Sequence, residues 1–152
     1  MNNSTFAYET YIATTQEKLW VALTSGEFTE KYWFGREVKS DWKEDSSVIF
    51  LDKNGKTTDH GKVLKSKPYS VLSYTMQCVD DQTDYEQTPR VTFELKPMGS
   101  TVKLTLKHEY LSTNAFQGES EGFYGINNGW PAILSNLKSL LETDKILPEI
   151  VL

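Results

Sequence analysis

The sequence predicts an α+β domain: a curved antiparallel β-sheet wrapped around a long C-terminal α-helix, with two short helices after the first strand. Three observations carry this. The segments run strand, two short helices, about five or six strands, then one strong helix, without the βαβ alternation of a parallel sheet. The strand segments alternate apolar and polar side chains, which buries one face of a sheet. The last segment repeats apolar residues at spacings of three and four, the stripe of an amphipathic helix. A sheet of that many strands twists and curls, and one helix covers only part of its inner face. Inner-facing side chains must then border a cavity or be sealed by bulky rings.

Residues 6–13 read as a strand, with Phe6, Tyr8, Thr10 and Ile12 on one face. Thr14 is the expected N-cap of the first helix, because Glu17 stands three residues on and closes a capping box. Leu19, Trp20 and Leu23 give that helix its stripe, and Ser25-Gly26 ends it. Residues 27–32 suit a second short helix leading into Tyr32-Trp33-Phe34-Gly35. Residues 47–51 form a strand, Asp52-Lys53-Asn54-Gly55 a hairpin turn, and residues 56–65 the return. After the turn Lys67-Pro68-Tyr69 come Leu72, Tyr74 and Met76 in alternation, then an exposed acidic loop at 80–87. Val91, Phe93 and Leu95 share a face, Pro97-Met98-Gly99-Ser100 turns the chain, and Val102, Leu104, Leu106, His108 and Tyr110 share a face of the next strand. Trp130, Ile133, Leu134, Leu137, Leu140 and Leu141 mark the long helix, with Pro131 expected in its first turn and an earlier, kinked turn at 121–129. Residues 146–152 form an apolar tail that folds back on the body.

The 152 residues suffice for one domain with a real core, spanning 1–152, and no repeat or linker divides them. With 38% hydrophobic and 24% charged residues the composition is that of a soluble globular chain. Sixteen basic against 21 acidic side chains leave a charge of −5, which argues against a nucleic-acid partner. No stretch approaches the roughly 20 apolar residues of a spanning helix, so no membrane insertion is expected. Residues 1–5 lack the features of a secretory signal, so a cytoplasmic location with Cys78 as a reduced thiol is expected. Four Trp, eight Tyr and seven Phe must line a core, a cavity or an interface.

Tyr11-Ile12-Ala13, Leu19-Trp20-Val21-Ala22-Leu23-Thr24, Tyr32-Trp33 and the run from Gly129-Trp130-Pro131 to Leu137-Lys138 together resemble a known pattern. The chain resembles the heat-shock-protein-90 ATPase activator homologue family of the START-like, birch-pollen-allergen-like (SRPBCC) superfamily, over residues 8–142. The resemblance implies a helix-grip fold. It also implies a deep cavity between sheet and helix, used across the superfamily for lipids, sterols, polyketides and other apolar molecules. The eukaryotic activator carries a separate N-terminal domain. Here the first strand begins within about eight residues of Met1, so that domain, and strong activation of the chaperone by this chain alone, are not expected.

The candidate ligand-binding residues follow from phase and position. Tyr8, Thr10, Leu72, Tyr74, Met76, Val91, Phe93, Leu104, Leu106 and His108 fall on the inner face of the sheet. Trp33 and Phe34 stand at the mouth, and Trp130, Ile133, Leu134 and Leu137 come from the helix. A mostly apolar wall with few polar groups suits a small hydrophobic ligand, aromatic or lipid-like, held by a carrier or sensor without turnover. The alternatives are a stress-response protein that binds a chaperone partner, and more weakly a cyclase-like enzyme with Tyr74, His108, Tyr110 and Tyr124 as pocket polar groups.

His108 could act as an acid or base, but no nucleophile or carboxylate pair accompanies it, which favours a core histidine. His60 reads as surface, and two histidines without ligand spacing make a metal site improbable. Glu94 and Glu109 point outward, and Trp42 is partly exposed among charges. Lys53, Lys56, Lys62, Lys65 and Lys67 form a solvated face, and Cys78 is inert. No catalytic residue, metal or cofactor is expected, and the chain is expected to be a monomer or weak homodimer.

Overall fold

The computed structural model describes residues 4–111 and 126–150. The elements are β1 (Ser4–Ile12), α1 (Gln16–Thr24), α2 (Gly26–Tyr32), β2 (Glu37–Ser40), β3 (Ser47–Leu51), β4 (Thr57–Lys67), β5 (Val71–Thr75), β6 (Gln77–Cys78), β7 (Arg90–Met98), β8 (Thr101–Leu111) and α3 (Ile126–Thr143). The strands form one curved antiparallel sheet in the order β1-β8-β7-β5-β4-β3-β2, with β6 paired to β4, and α3 lies against its inner side. The fold is the α+β arrangement read from the sequence. Two short strands, β2 and β6, add to it. At four and two residues they are too short to show a period of two.

The α1 N-cap is Thr15 rather than Thr14. The Thr15 hydroxyl accepts from the Lys18 N–H at 3.2 Å, which shifts the helix start by one residue. Gly26 does not cap α1 with a left-handed backbone; it opens α2 instead. Its missing side chain is needed for close approach, since a Cβ there would lie 2.9 Å from the Val38 carbonyl oxygen. Thr29 and Tyr32 then fix α2. Thr29 Oγ1 accepts from the Val38 N–H at 3.0 Å, and the Tyr32 hydroxyl donates to the Ala22 carbonyl at 2.8 Å. Both side chains are buried, so α2 can deliver Trp33 to the interior.

The β3–β4 turn forms as expected. Asp52 Oδ1 accepts from the N–H groups of Asn54 (2.8 Å) and Lys56 (3.0 Å), and Gly55 supplies a φ of +78°. In β8 the alternation holds through His108 and then slips. Phe6 pairs with His108 but Ser4 with Leu111, so β8 carries an extra residue there. Tyr110 takes a φ of +62°, and Leu111, not Tyr110, is buried. Tyr110 instead lies under the Arg90 guanidinium at 5.1 Å, beside the Arg90–Glu109 pair on the outer face. Tyr110 is therefore no inner polar group, because the bulge reverses its direction.

Pro131 sits inside α3 rather than in its first turn, because the helix starts at Ile126. The Asn127 carbonyl consequently lacks its helical partner. The far end of α3 is pinned to β1. Glu142 accepts from the Ala13 N–H at 2.8 Å, and the Lys138 ammonium reaches the Tyr11 carbonyl at 2.6 Å. Residues 146–150 lie back along α3, where the Leu147 N–H donates to Asn136 Oδ1 at 3.1 Å.

Candidate functional site

The interior is built around rings. Trp33, Phe50, Tyr74, Phe93 and Trp130 form a closed circuit with neighbouring centroids 5.1, 6.0, 6.3, 6.1 and 5.2 Å apart. These separations are those of tilted and edge-to-face aromatic contacts. The circuit links the end of α2, the strands β3, β5 and β7, and α3. Alternation on three separate strands turns Phe50, Tyr74 and Phe93 inward, and the fold brings them to Trp33 and Trp130.

Leu72, Tyr74, Val91, Phe93, Leu104 and Leu106 are at most 1% exposed, packed within this core together with Leu134 and Leu137. Tyr8, Thr10 and Met76 are half-buried. Trp33, Trp130 and Ile133 are buried, while Phe34 is 38% exposed. Trp42 is half-buried, as expected, and its indole N–H donates to the Thr24 carbonyl at 2.8 Å. His60 and Cys78 are exposed. Tyr124 lies outside the described residues.

His108 is 8% exposed, and its Nδ1 accepts from the Trp130 indole N–H at 3.0 Å. The other nitrogen must then carry the proton of a neutral ring. Nε2 is buried and has no partner among the described residues. Burial lowers the imidazole to about 4, so His108 is neutral near pH 7. Burial likewise pushes the phenols of Tyr32 and Tyr74 well up, with the Asp59 charge adding to the effect at Tyr74. These groups can donate or accept hydrogen bonds but carry no charge. Among the described residues no group of three acidic, His or Cys side chains could hold a metal ion.

A half-open cleft of about 460 Å³ leads from solvent to this ring circuit. Its walls are Trp33, Phe34 and Arg36 between α2 and β2, Asp52, Lys53 and Asn54 of the β3–β4 turn, Thr58 of β4, and Gly129 and Ile133 of α3. Of the residues expected at a ligand site, Trp33, Phe34 and Ile133 line it, and Trp130 packs against Trp33 with the ring planes tilted by 60°. Phe34 (φ +51°) and Gly35 (φ +86°) turn the chain sharply after α2, which separates the inward Trp33 from the exposed Phe34. Phe34 and Lys53 also border a second recess of about 640 Å³, closed on its far side by residues 146–150.

Sequence reasoning missed Arg36, Asn54 and Thr58, and it placed Lys53 on a solvated face. Lys53 is exposed, yet its stem lies across Gly35, where a Cβ would meet Lys53 Cε at 2.5 Å. No local pattern brings a hairpin turn beside a helix some eighty residues later; only the curl of the sheet does.

The model of the family described as Activator of Hsp90 ATPase homolog 1-like protein matches residues 13–142. No curated protein matches the sequence significantly. Among solved structures, the chain is similar to the solution structure of the Aha1 dimer from Colwellia psychrerythraea, with a TM-score of 0.72 at 20% identity, covering 93% of this chain and 98% of that one. It is similar to a Cytophaga hutchinsonii protein, with a TM-score of 0.70 at 28% identity, covering 95% and 98%. It is also similar to an HSP90 activator from Plasmodium falciparum, with a TM-score of 0.71 at 18% identity, covering 90% and 95%.

Proposed function

Because the chain belongs to the Activator of Hsp90 ATPase homolog 1-like family, whose helix-grip fold encloses apolar space between sheet and helix, we propose that it reversibly binds a small hydrophobic ligand. The observation that carries this reading is the half-open cleft of about 460 Å³, walled on one side by Trp33, Phe34 and Ile133 and backed by Trp130. Its size lies within the usual range of small-molecule sites. The ligand's apolar body rests on Trp33 and Ile133. The buried inner-face residues Leu72, Tyr74, Val91, Phe93, Leu104, Leu106, Leu134 and Leu137 hold that wall rigid from behind. Tyr8, Thr10, Met76 and His108 complete the inner face, and Met76 offers an adaptable side chain. The ligand is carried or sensed without turnover.

The test is a titration with fatty acids and aromatic compounds, followed by Trp fluorescence and NMR shifts. Shifts centred on Trp33, Ile133 and Trp130 are expected. An Ile133→Trp variant, which fills the cleft, should bind at least tenfold more weakly. A Leu106→Trp variant should overpack the core by about 1–3 kcal/mol. No ligand-dependent shift in any of these residues would sink the reading.

A second reading has the chain engage an Hsp90 chaperone. It is supported by the family's description and by the similarity to the Plasmodium activator. A saturable, severalfold stimulation of the chaperone's ATPase at micromolar protein would put this reading first. The similarity to a dimeric structure supports looking for a weak homodimer by native mass spectrometry in the same samples.

A further inference from the structure

Resting on the ligand-binding reading, the geometry points to a ligand with a carboxylate head: an apolar monocarboxylate whose body lies on Trp33 and Ile133 and whose anionic end meets Lys53 and Arg36 at the rim. The rim combines two kinds of surface. Trp33, Phe34 and Ile133 are apolar, and the charged groups are Asp52 and Lys53 of the β3–β4 turn and Arg36 just before β2.

Each of the two carboxylates there has one oxygen engaged. Asp52 Oδ1 holds the turn through the N–H groups of Asn54 and Lys56. Asp59 is buried behind Arg36, where it takes one guanidinium nitrogen at 3.3 Å and the Thr58 hydroxyl at 2.8 Å. The donors are mostly unspent. Apart from the Nη1 contact with Asp59, the Arg36 guanidinium makes no hydrogen bond to a described residue, and the Lys53 ammonium makes none. A guanidinium with free N–H groups and an ammonium lining one cleft suit a carboxylate.

Lys53 is also held in place for this role. Its stem crosses Gly35, whose φ of +86° and lack of a side chain leave the room it occupies. The ammonium therefore starts from a restricted set of positions at the partition between the two recesses, which lowers the ordering cost on binding. Asp59 offsets part of the Arg36 charge and Asp52, on the same wall, part of the Lys53 charge, and both cations touch solvent, so the headgroup contribution is moderate and sensitive to salt.

The test compares 1-naphthylacetate with 1-naphthylacetamide, which share a body and differ in headgroup charge, by calorimetry and by NMR of the full chain. The carboxylate should bind about tenfold more tightly at low salt, and the preference should shrink in 0.5 M salt (about a 4 Å screening length). Lys53→Met, which keeps the stem, should remove most of the preference and leave the amide's affinity within about twofold. Arg36 is unsuitable for this variant, because its loss would strand Asp59. Equal affinities, or a preference for the amide, would overturn the headgroup assignment and leave the cleft reading intact. A carboxylate preference unchanged in Lys53→Met would overturn it too. Failure of both compounds to bind would overturn the assignment together with the reading it rests on.

Discussion

The Trp130 indole N–H donates to Nδ1 of His108 at 3.0 Å, joining the start of the α3 stripe to the middle of β8 through a buried polar contact. It fixes the imidazole as the tautomer with its proton on Nε2. It also gives the indole N–H the partner that burial demands. The pair closes the sheet-to-helix interface at the point where Phe93 and Trp33 meet the same indole.

A pH dependence follows from that burial. The unfolded imidazole takes up a proton as pH falls through about 6.5, whereas the native one, held to about 4 by burial, resists until lower pH. The unfolded state therefore binds more protons between these values. This contribution to stability is present above about pH 6.5 and falls by about 3 kcal/mol toward pH 4. His108→Phe should remove that dependence and cost about 1–3 kcal/mol at pH 7 by orphaning the indole N–H. Urea unfolding of both proteins from pH 4 to 8 isolates the difference. Parallel curves would show that His108 does not titrate as described.

Gly61 lies where β4 passes from pairing with β6 to pairing with β5. A Cβ there would run into the carbonyl oxygen of Thr75. The obstacle is backbone, which cannot swing aside as a side chain can. Gly61→Ala should cost about 3 kcal/mol or more, read from the urea midpoint at unchanged m-value. A loss under about 0.5 kcal/mol would mean the strands can separate at little cost.

At Gly35 the opposite holds, because the atoms in the way belong to the flexible Lys53 stem. Gly35→Ala should cost about 1 kcal/mol for the left-handed backbone and displace the Lys53 ammonium. Naphthylacetate should then bind more weakly while naphthylacetamide keeps its affinity. An unchanged ratio of the two would show that the position of Lys53 does not matter.

Residues 1–152 are proposed to fold as one unit, because α3 supplies the cover for a sheet that starts at β1. Removing everything after Gly129 deletes Trp130, Ile133, Leu134 and Leu137, all at most 9% exposed. Each such anchor contributes about 1.5–3 kcal/mol of burial, against a total stability of roughly 5–15 kcal/mol. The truncated chain should show no cooperative thermal transition by circular dichroism. Leu134→Ala in the full chain should fold and lose about 2–5 kcal/mol. A sharp transition in residues 1–129 would refute the single-unit proposal.

The element order, the inner face of the sheet and the apolar stripe of α3 were all determined locally. Burial of one face imposes a period of two on strands and of about 3.6 on helices, and both periods survive in the sequence. The same logic placed Tyr74, Phe93 and Trp130 inward. It failed at Tyr110, where one bulged residue in β8 reverses the direction of the side chain. It could not find β2 or β6, which are too short to carry a period. Only the tertiary structure decided that the inward rings meet in a closed circuit, and that the cleft opens beside the β3–β4 turn. Lys53 and Arg36 reach the same rim because the sheet curls far enough to bring that turn against α2 and α3. Curl is a property of the whole sheet, summed over many small twists, and no single segment records it.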